Sequence, residues 1–160
     1  MINSPKRIVT SRFKKSKFEL NNAGREIPIE DGKWEGVDEY IRPFLMDLNK
    51  GRNIMTRFSC EGHKEGDSAY LFFSVNKIGW DIFWLKVMPA LAAAFNRPVI
   101  LTSGADAILQ LNWTIQVSQY NGSEGLVIHC LLDTSEFRTW QRTKEEFWSV
   151  MKETFLTYFK

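Results

Sequence analysis

The sequence has few of the residues that build disulfide frameworks and metal centres, and it lacks the common short catalytic motifs. Its 160 residues include two cysteines and two histidines. Cys60 and Cys130 are too far apart and too few to form the framework of a small secreted protein. A phosphate-binding P-loop, a dinucleotide-binding glycine motif, H-E-x-x-H and G-x-S-x-G are all missing. These absences exclude the enzyme classes that depend on those motifs.

Strong net charge is also lacking, because the formal charge is only +2. This value alone does not argue for a nucleic-acid partner. The basic residues are nevertheless concentrated at the start, with six and no acidic residue in positions 1–17. We therefore predict a basic extended arm at 1–30, followed by a single α+β domain at 31–160. Nucleic acid is a possible partner through this arm, but the excess of acidic groups in the remainder does not favour it.

No apolar segment of the signal-peptide type opens the chain. The longest apolar stretch, residues 78–95, is interrupted by Asp81, Lys86 and Pro89. A bilayer-spanning helix needs about 20 predominantly apolar residues, so we predict that this segment does not span a membrane. The expected location is the cytoplasm, with no membrane partner.

Hydrophobic periodicity predicts three helices and about five strands. Helical spacing begins at Val37 and again at residue 78, and a capping-box pattern at Thr143 predicts the start of the last helix. Pro43 and Pro89 each predict a helix start or a kink. Strands are predicted at 54–58, 69–75, 99–101, 107–117 and 126–132. The order α-β-β-α-β-β-β-α, rich in hairpins, favours an α+β fold with a mainly antiparallel twisted sheet backed by helices.

The most informative segment is the loop after the first predicted strand, Ser59-Cys60-Glu61-Gly62-His63, called here the 59–63 loop. A glycine that adopts positive φ turns the chain tightly, so that successive backbone N–H groups converge on an anion. Arg57, just before the loop, adds a positive charge. Alternatively, Cys60 and His63 act as nucleophile and base, provided that they lie within hydrogen-bonding reach.

A row of uncharged polar residues follows one face of the predicted strand 107–117. Gln110 and Asn112 belong to this row together with Thr114 and Gln116, and His129 lies on the predicted partner strand. The alternative to a functional role is a solvent-exposed face. We expect the row and the 59–63 loop to form one pocket. The candidate ligand-binding residues are Arg57, Ser59, Cys60, Glu61, Gly62, His63, Gln110, Asn112 and His129.

The cysteines and histidines occur as two pairs, Cys60 with His63 and His129 with Cys130. Adjacent residues of a strand point to opposite faces, so at most one of His129 and Cys130 joins the first pair. Three ligands would fit an open zinc site better than a structural one. Since the chain has only these four cysteine and histidine residues, chance is sufficient to explain why they occur as two pairs. We predict no metal and no cofactor.

The 59–63 loop, preceded by Thr56 and followed by the apolar segment 70–73, resembles the S-C-x-G strand-loop of the wybutosine-synthesising tRNA-modification proteins. It also resembles an S-C-x-G-H loop of small phage and mobile-element proteins. The resemblance spans about 20 residues, and Glu61 and His63 replace the serine and arginine of the tRNA-modifying family. The first resemblance implies S-adenosylmethionine-linked chemistry, and the second implies sequestration of a signalling nucleotide.

Three functions are consistent with these patterns. The favoured one is a small-molecule binding protein with a pocket for a nucleotide-like or other polar anionic ligand, in the manner of a phage-type sequestering protein. An alternative is a nucleotide- or tRNA-modifying enzyme, linked to S-adenosylmethionine, that uses the 59–63 loop. The third is a protein-interaction module that uses the basic arm and exposed tryptophans, Trp34, Trp140 and Trp148, to bind a partner or a second copy of the chain.

Overall fold

A computed structural model describes residues 37–96, 98–100, 106–108, 111–120, 123–135 and 138–159. The predicted basic arm at 1–30, Trp34 and Gln110 lie outside these residues.

The described strands form two antiparallel sheets. The main sheet contains β1 (Ile54–Cys60), β2 (Ser68–Val75), β5 (Trp113–Tyr120) and β6 (Ser123–Leu131) in the order β1-β2-β6-β5. The short strands β3 (Pro98–Ile100) and β4 (Asp106–Ile108) pair only with each other. The α+β class and the antiparallel sheet are thus confirmed. The main sheet has four strands, fewer than the five expected.

The prediction of one continuous strand at 107–117 is wrong. β4 ends at Ile108 and β5 begins at Trp113. Between them, the Leu111 N–H donates to the carbonyl of Phe95 at the end of a helix (3.1 Å), and the Trp113 N–H donates to the Leu111 carbonyl (3.1 Å). Alternating polarity in the sequence cannot show that a backbone group finds its partner on a helix instead of a strand.

The described helices are three in number. The first, α1 (Arg42–Leu48), has Pro43 in its first turn and starts five residues later than the spacing from Val37 suggests. The second runs from Lys77 to Phe95 and consists of α2 (Lys77–Ile82), a π-helical segment (Phe83–Val87) and α3 (Met88–Phe95). The third is α4 (Trp140–Tyr158).

The kink predicted from Pro89 takes the form of the π-helical segment. Pro89 has no N–H to donate, and its ring conflicts with the carbonyl four residues earlier, on Leu85. Just before it, the Met88 N–H bonds to the carbonyl of Phe83, five residues back instead of four. This wider turn accommodates proline without ending the helix.

The start of α4 differs from the sequence prediction. Thr139 is the N-cap, and its hydroxyl oxygen accepts a hydrogen bond from the Arg142 N–H (3.3 Å). Thr143, predicted as the cap, lies one turn inside the helix, where its hydroxyl donates to the Thr139 carbonyl (3.1 Å). Threonine is a favourable N-cap residue at both positions, and the capping-box pattern with Glu146 indicated the later one.

The helix Lys77–Phe95 is long and apolar enough to cross a membrane by length and composition, although helices in the cores of soluble proteins also meet this criterion. Four of its side chains, Phe83, Val87, Leu91 and Phe95, are fully buried in the protein core. The predicted cytoplasmic location stays a prediction.

The core lies between the three helices and one face of the main sheet, called here the inner face. Leu71, Phe73, Leu126 and Ile128 point into it from β2 and β6. Phe155 of α4 is its centre, because its ring contacts four others: Phe44 of α1 (6.4 Å), Phe73 (5.2 Å), Phe83 (6.3 Å) and Phe159 (5.7 Å between centroids). This side chain joins all three helices to the sheet.

Replacing Phe155 with alanine should therefore lower the free energy of unfolding by about 3–5 kcal/mol, as expected for a buried aromatic ring. The measurement is urea denaturation followed by tryptophan fluorescence. Leu156→Ala is the matched control, because the neighbouring side chain is only partly buried and its truncation should cost less. Equal losses in the two variants would contradict the central position of Phe155.

Candidate functional site

The connection between β1 and β2 is folded against the end of β6. The Gly66 N–H donates to the Leu132 carbonyl (2.7 Å), and the Leu132 N–H donates to the Asp67 carbonyl (2.8 Å). Gly62 and Gly66 have φ of +83° and +85°, the left-handed region that glycine adopts readily. The tight turn predicted at Gly62 is therefore present.

Glu61 attaches the loop to two helical regions. One carboxylate oxygen lies 2.7 Å from the Lys144 ammonium of α4, and the other accepts the Tyr40 N–H (3.1 Å) ahead of α1. The Glu61 carbonyl also accepts the Trp148 indole N–H (3.0 Å). Because both carboxylate oxygens are bonded within the protein, Glu61 positions the loop.

Cys60 and His63 lie close together, and the structure adds Asp38 to them. One ligand atom from each residue, the thiol sulfur, a ring nitrogen and a carboxylate oxygen, all lie within 4.8 Å of one another. His63 Nε2 is 3.5 Å from Asp38 Oδ1, while Asp38 Oδ2 accepts the Glu61 N–H (2.8 Å). Sequence reasoning missed Asp38, because nothing in its neighbourhood distinguishes it from other acidic residues ahead of a helix.

The other face of the main sheet, called here the outer face, carries a separate depression of about 330 Å³. Its lining residues are Phe58, Tyr70, Phe72, Gln116, Ser118, Val127 and His129. The Phe58 and Phe72 rings are cross-strand neighbours and nearly parallel, with centroids 5.8 Å apart. The described helices contribute to the core on the opposite face. The depression therefore has an aromatic floor, with polar side chains along one edge.

His129 and Gln116 form this polar edge. Their Nε2 atoms are 2.8 Å apart, and the His129 ring lies 5.7 Å from that of Tyr70. Burial lowers the pKa of His129 below its ordinary value. A neutral ring accepts the Gln116 amide hydrogen at Nε2 and keeps its proton on Nδ1, an assignment that follows from the hydrogen bond.

Arg57 occupies the bulge of β1 between the pairs Thr56–Phe73 and Phe58–Phe72. Its side chain is buried, and its Nε donates to the Ser74 hydroxyl (3.1 Å) on the outer face. Within the described part of the chain, no carboxylate forms an ion pair with it. Burial lowers the pKa of Arg57 to about 10, so the guanidinium remains a positive charge at neutral pH.

The structure divides the predicted pocket into two neighbouring places. Of the predicted site residues, His129 lines the depression, and Cys60, Glu61, Gly62 and His63 form the loop. Arg57 is not among the lining residues and precedes the lining residue Phe58 in β1. Cys60 is paired with Tyr70, so one cross-strand pair separates the two places. Ser59 is buried opposite Leu71 on the inner face, and the side chain of Asn112 is exposed outside the lining. Gln110 lies outside the described residues.

The tryptophans predicted to be exposed do not form a common surface in the described chain. Trp148 is only 3% exposed, packs against Phe44 and Phe147, and belongs to the core. Its prediction as a surface residue was wrong, because its helical position faces the core and its indole N–H is used by Glu61. Trp140 is partly buried against the same core.

Comparison of the chain with models of protein families, with curated proteins and with solved structures finds no match.

The glycines of the loop offer a matched pair of substitutions. Gly66→Ala adds a Cβ into open space, so it should cost only the strain of left-handed backbone, about 1–2 kcal/mol. Gly62→Ala places its Cβ 2.2 Å from Cδ1 of the fully buried Leu132, which adds about 1–3 kcal/mol of overpacking. Urea denaturation measures both losses. Equal losses would show that the Gly62 contact does not constrain the loop.

The lowered pKa of His129 predicts a specific pH dependence. The unfolded imidazole takes up a proton near its ordinary pKa of 6.5, while the folded one does so only at lower pH. The stabilisation from neutral His129 is therefore complete above about pH 6.5 and lost as the pH falls through the folded-state pKa. NMR titration of the imidazole resonances tests this, with His129→Gln identifying the His129 signal. A midpoint at or above 6.5 would contradict the burial.

Proposed function

We propose that the protein binds a small, polar, anionic ligand of the nucleotide type in the outer-face depression. The observation that carries this proposal is the combination of an aromatic floor, a polar edge and a buried positive charge on one sheet face. Ligand sites in proteins are typically concave and mostly apolar, with a few fixed polar groups. The depression has this composition.

The aromatic floor supports recognition of a planar ring. Phe72 is only 3% exposed and forms the base of the floor, while Phe58 and Tyr70 are partly exposed beside it. Stacking of a base on an aromatic side chain contributes about 1–3 kcal/mol and tolerates different bases. Selectivity among bases then depends on Gln116 and His129, whose mutual hydrogen bond holds an amide and an imidazole at the edge.

The charge of Arg57 favours an anionic ligand over a neutral one. A buried guanidinium without a carboxylate among its described neighbours has a positive potential that the described part of the chain does not neutralise. Charge that lies away from bulk water is screened less than surface charge. In sequestration, the ligand is bound and not converted, so this function requires no catalytic group in the depression.

The direct test is binding of a panel of nucleoside mono-, di- and triphosphates and cyclic nucleotides, measured by thermal stabilisation and calorimetry. At a ligand concentration 100 times the Kd, linkage predicts about 2.7 kcal/mol of added stability. Gln116→Ala should weaken binding by about tenfold or more, the cost of one lost hydrogen bond to a ligand. No stabilisation by any member at millimolar concentration would overturn the proposal.

Gln119→Ala is the matched control for this experiment. Gln119 lies three residues further along β5, so it points to the opposite face, and it is exposed. Its truncation should leave the affinity unchanged. Equal weakening in the two glutamine variants would place the ligand elsewhere.

A nucleotide- or tRNA-modifying enzyme linked to S-adenosylmethionine is the second candidate. The proximity of Cys60, His63 and Asp38 favours it. Against it, Glu61, the acid–base group expected from the sequence, is bonded through both carboxylate oxygens to Lys144 and Tyr40, which supports a positioning role for this side chain. Turnover that depends on His63 would favour this candidate over sequestration.

A further inference from the structure

We propose that Asp38, Cys60 and His63 bind one divalent transition-metal ion, with zinc the best match. The described residues supply these three ligands and no fourth. This site is distinct from the outer-face depression and does not depend on the ligand proposed there. It also differs from the arrangement considered from sequence, because the third ligand is Asp38 instead of His129 or Cys130.

The distances suit a tetrahedral ion. Zinc binds a histidine nitrogen and a carboxylate oxygen at about 2.0–2.2 Å, which places two such atoms about 3.3–3.6 Å apart at tetrahedral angles. His63 Nε2 and Asp38 Oδ1 are 3.5 Å apart. All three ligand atoms lie within 4.8 Å of one another, so small side-chain rotations bring the thiol sulfur to the same centre.

The backbone around the three ligands is held in place by other groups. Asp38 Oδ2 accepts the Glu61 N–H, which turns the other carboxylate oxygen towards His63. The His63 N–H donates to the Asp67 carboxylate (2.9 Å), and Glu61 is bonded to Lys144. Metal ligands are typically oriented by such additional hydrogen bonds, whose loss costs about 10–100-fold in affinity.

The chemistry of the donors selects the metal class. A thiolate, an imidazole and a carboxylate suit zinc, cobalt and related first-row ions, whereas magnesium and calcium prefer sites made only of oxygen. A Cys-His-Asp catalytic triad needs the imidazole to bridge thiol and carboxylate through its two different nitrogens. Here a single ring nitrogen lies within 4.8 Å of both of the other ligand atoms, as coordination to one ion requires.

The remaining cysteine and histidine of the chain do not take part. Cys130 is fully buried on the inner face, within the core. His129 is on the outer face and is bonded to Gln116. These two residues therefore provide matched controls, one for each ligand type.

The test is titration of the metal-free protein with cobalt(II), followed by absorption spectroscopy. We expect one equivalent to produce a thiolate-to-cobalt charge-transfer band and the visible bands of a tetrahedral ion, and zinc to abolish both by displacement. Cys60→Ser should remove the charge-transfer band. His63→Gln and Asp38→Asn should each weaken binding by at least about tenfold. Asparagine keeps a carbonyl oxygen for the Glu61 N–H, so Asp38→Asn preserves the loop.

Cys130→Ala and His129→Gln should retain the charge-transfer band and the affinity of the unmodified chain, with circular dichroism confirming that each variant is folded. Absence of the band from the unmodified protein at millimolar cobalt overturns the proposal without recourse to any variant. A band that is lost in Cys130→Ala but kept in Cys60→Ser also overturns it. Failure to bind nucleotides leaves these outcomes unaffected, so the two proposals are separable.

Discussion

The ion pair between Glu61 and Lys144 is the constraint on which the arrangement of the candidate sites depends. It joins a loop at the sheet edge to α4, 83 residues later in the chain, and the same carboxylate accepts the Tyr40 N–H ahead of α1. Both charged side chains are more than four-fifths buried. A buried charge left without its partner is costly, so the pair strongly disfavours other loop positions. The backbone of Glu61 in turn holds Asp38 and Trp148.

The core, the depression and the three-residue cluster lie in three different regions of the main sheet. The inner face is covered by helices and contains the aromatic core. The outer face carries the depression with its aromatic floor, and Asp38, Cys60 and His63 lie together at the C-terminal end of β1. The strand period of two causes this separation, because neighbouring residues such as Ser59 and Cys60 point to opposite faces. The depression and the three-residue cluster are adjacent through the Cys60–Tyr70 pair.

The candidate site was partly predictable from local sequence. The glycine turn, the closeness of Cys60 to His63, and the position of His129 on a polar sheet face all follow from short-range spacing. Asp38 was not predictable, since it approaches the loop from 23 residues before Glu61, whose N–H donates to its carboxylate. The structural use of Glu61 also depends on a distant residue, Lys144. For the same reason, the sequence could not show that the loop and the depression are separate.

Sequence alone determined the α+β class, the antiparallel pairing and the composition of the helices, because hydrophobic period and turn residues act over a few positions. Only the tertiary structure decided which strands share a sheet, since β3 and β4 pair apart from the other four. It also decided the break in the predicted strand 107–117, where a helix carbonyl takes the Leu111 N–H. These outcomes depend on which backbone groups form hydrogen bonds across the folded chain. Hydrophobic periodicity is a local property and does not predict these distant partners.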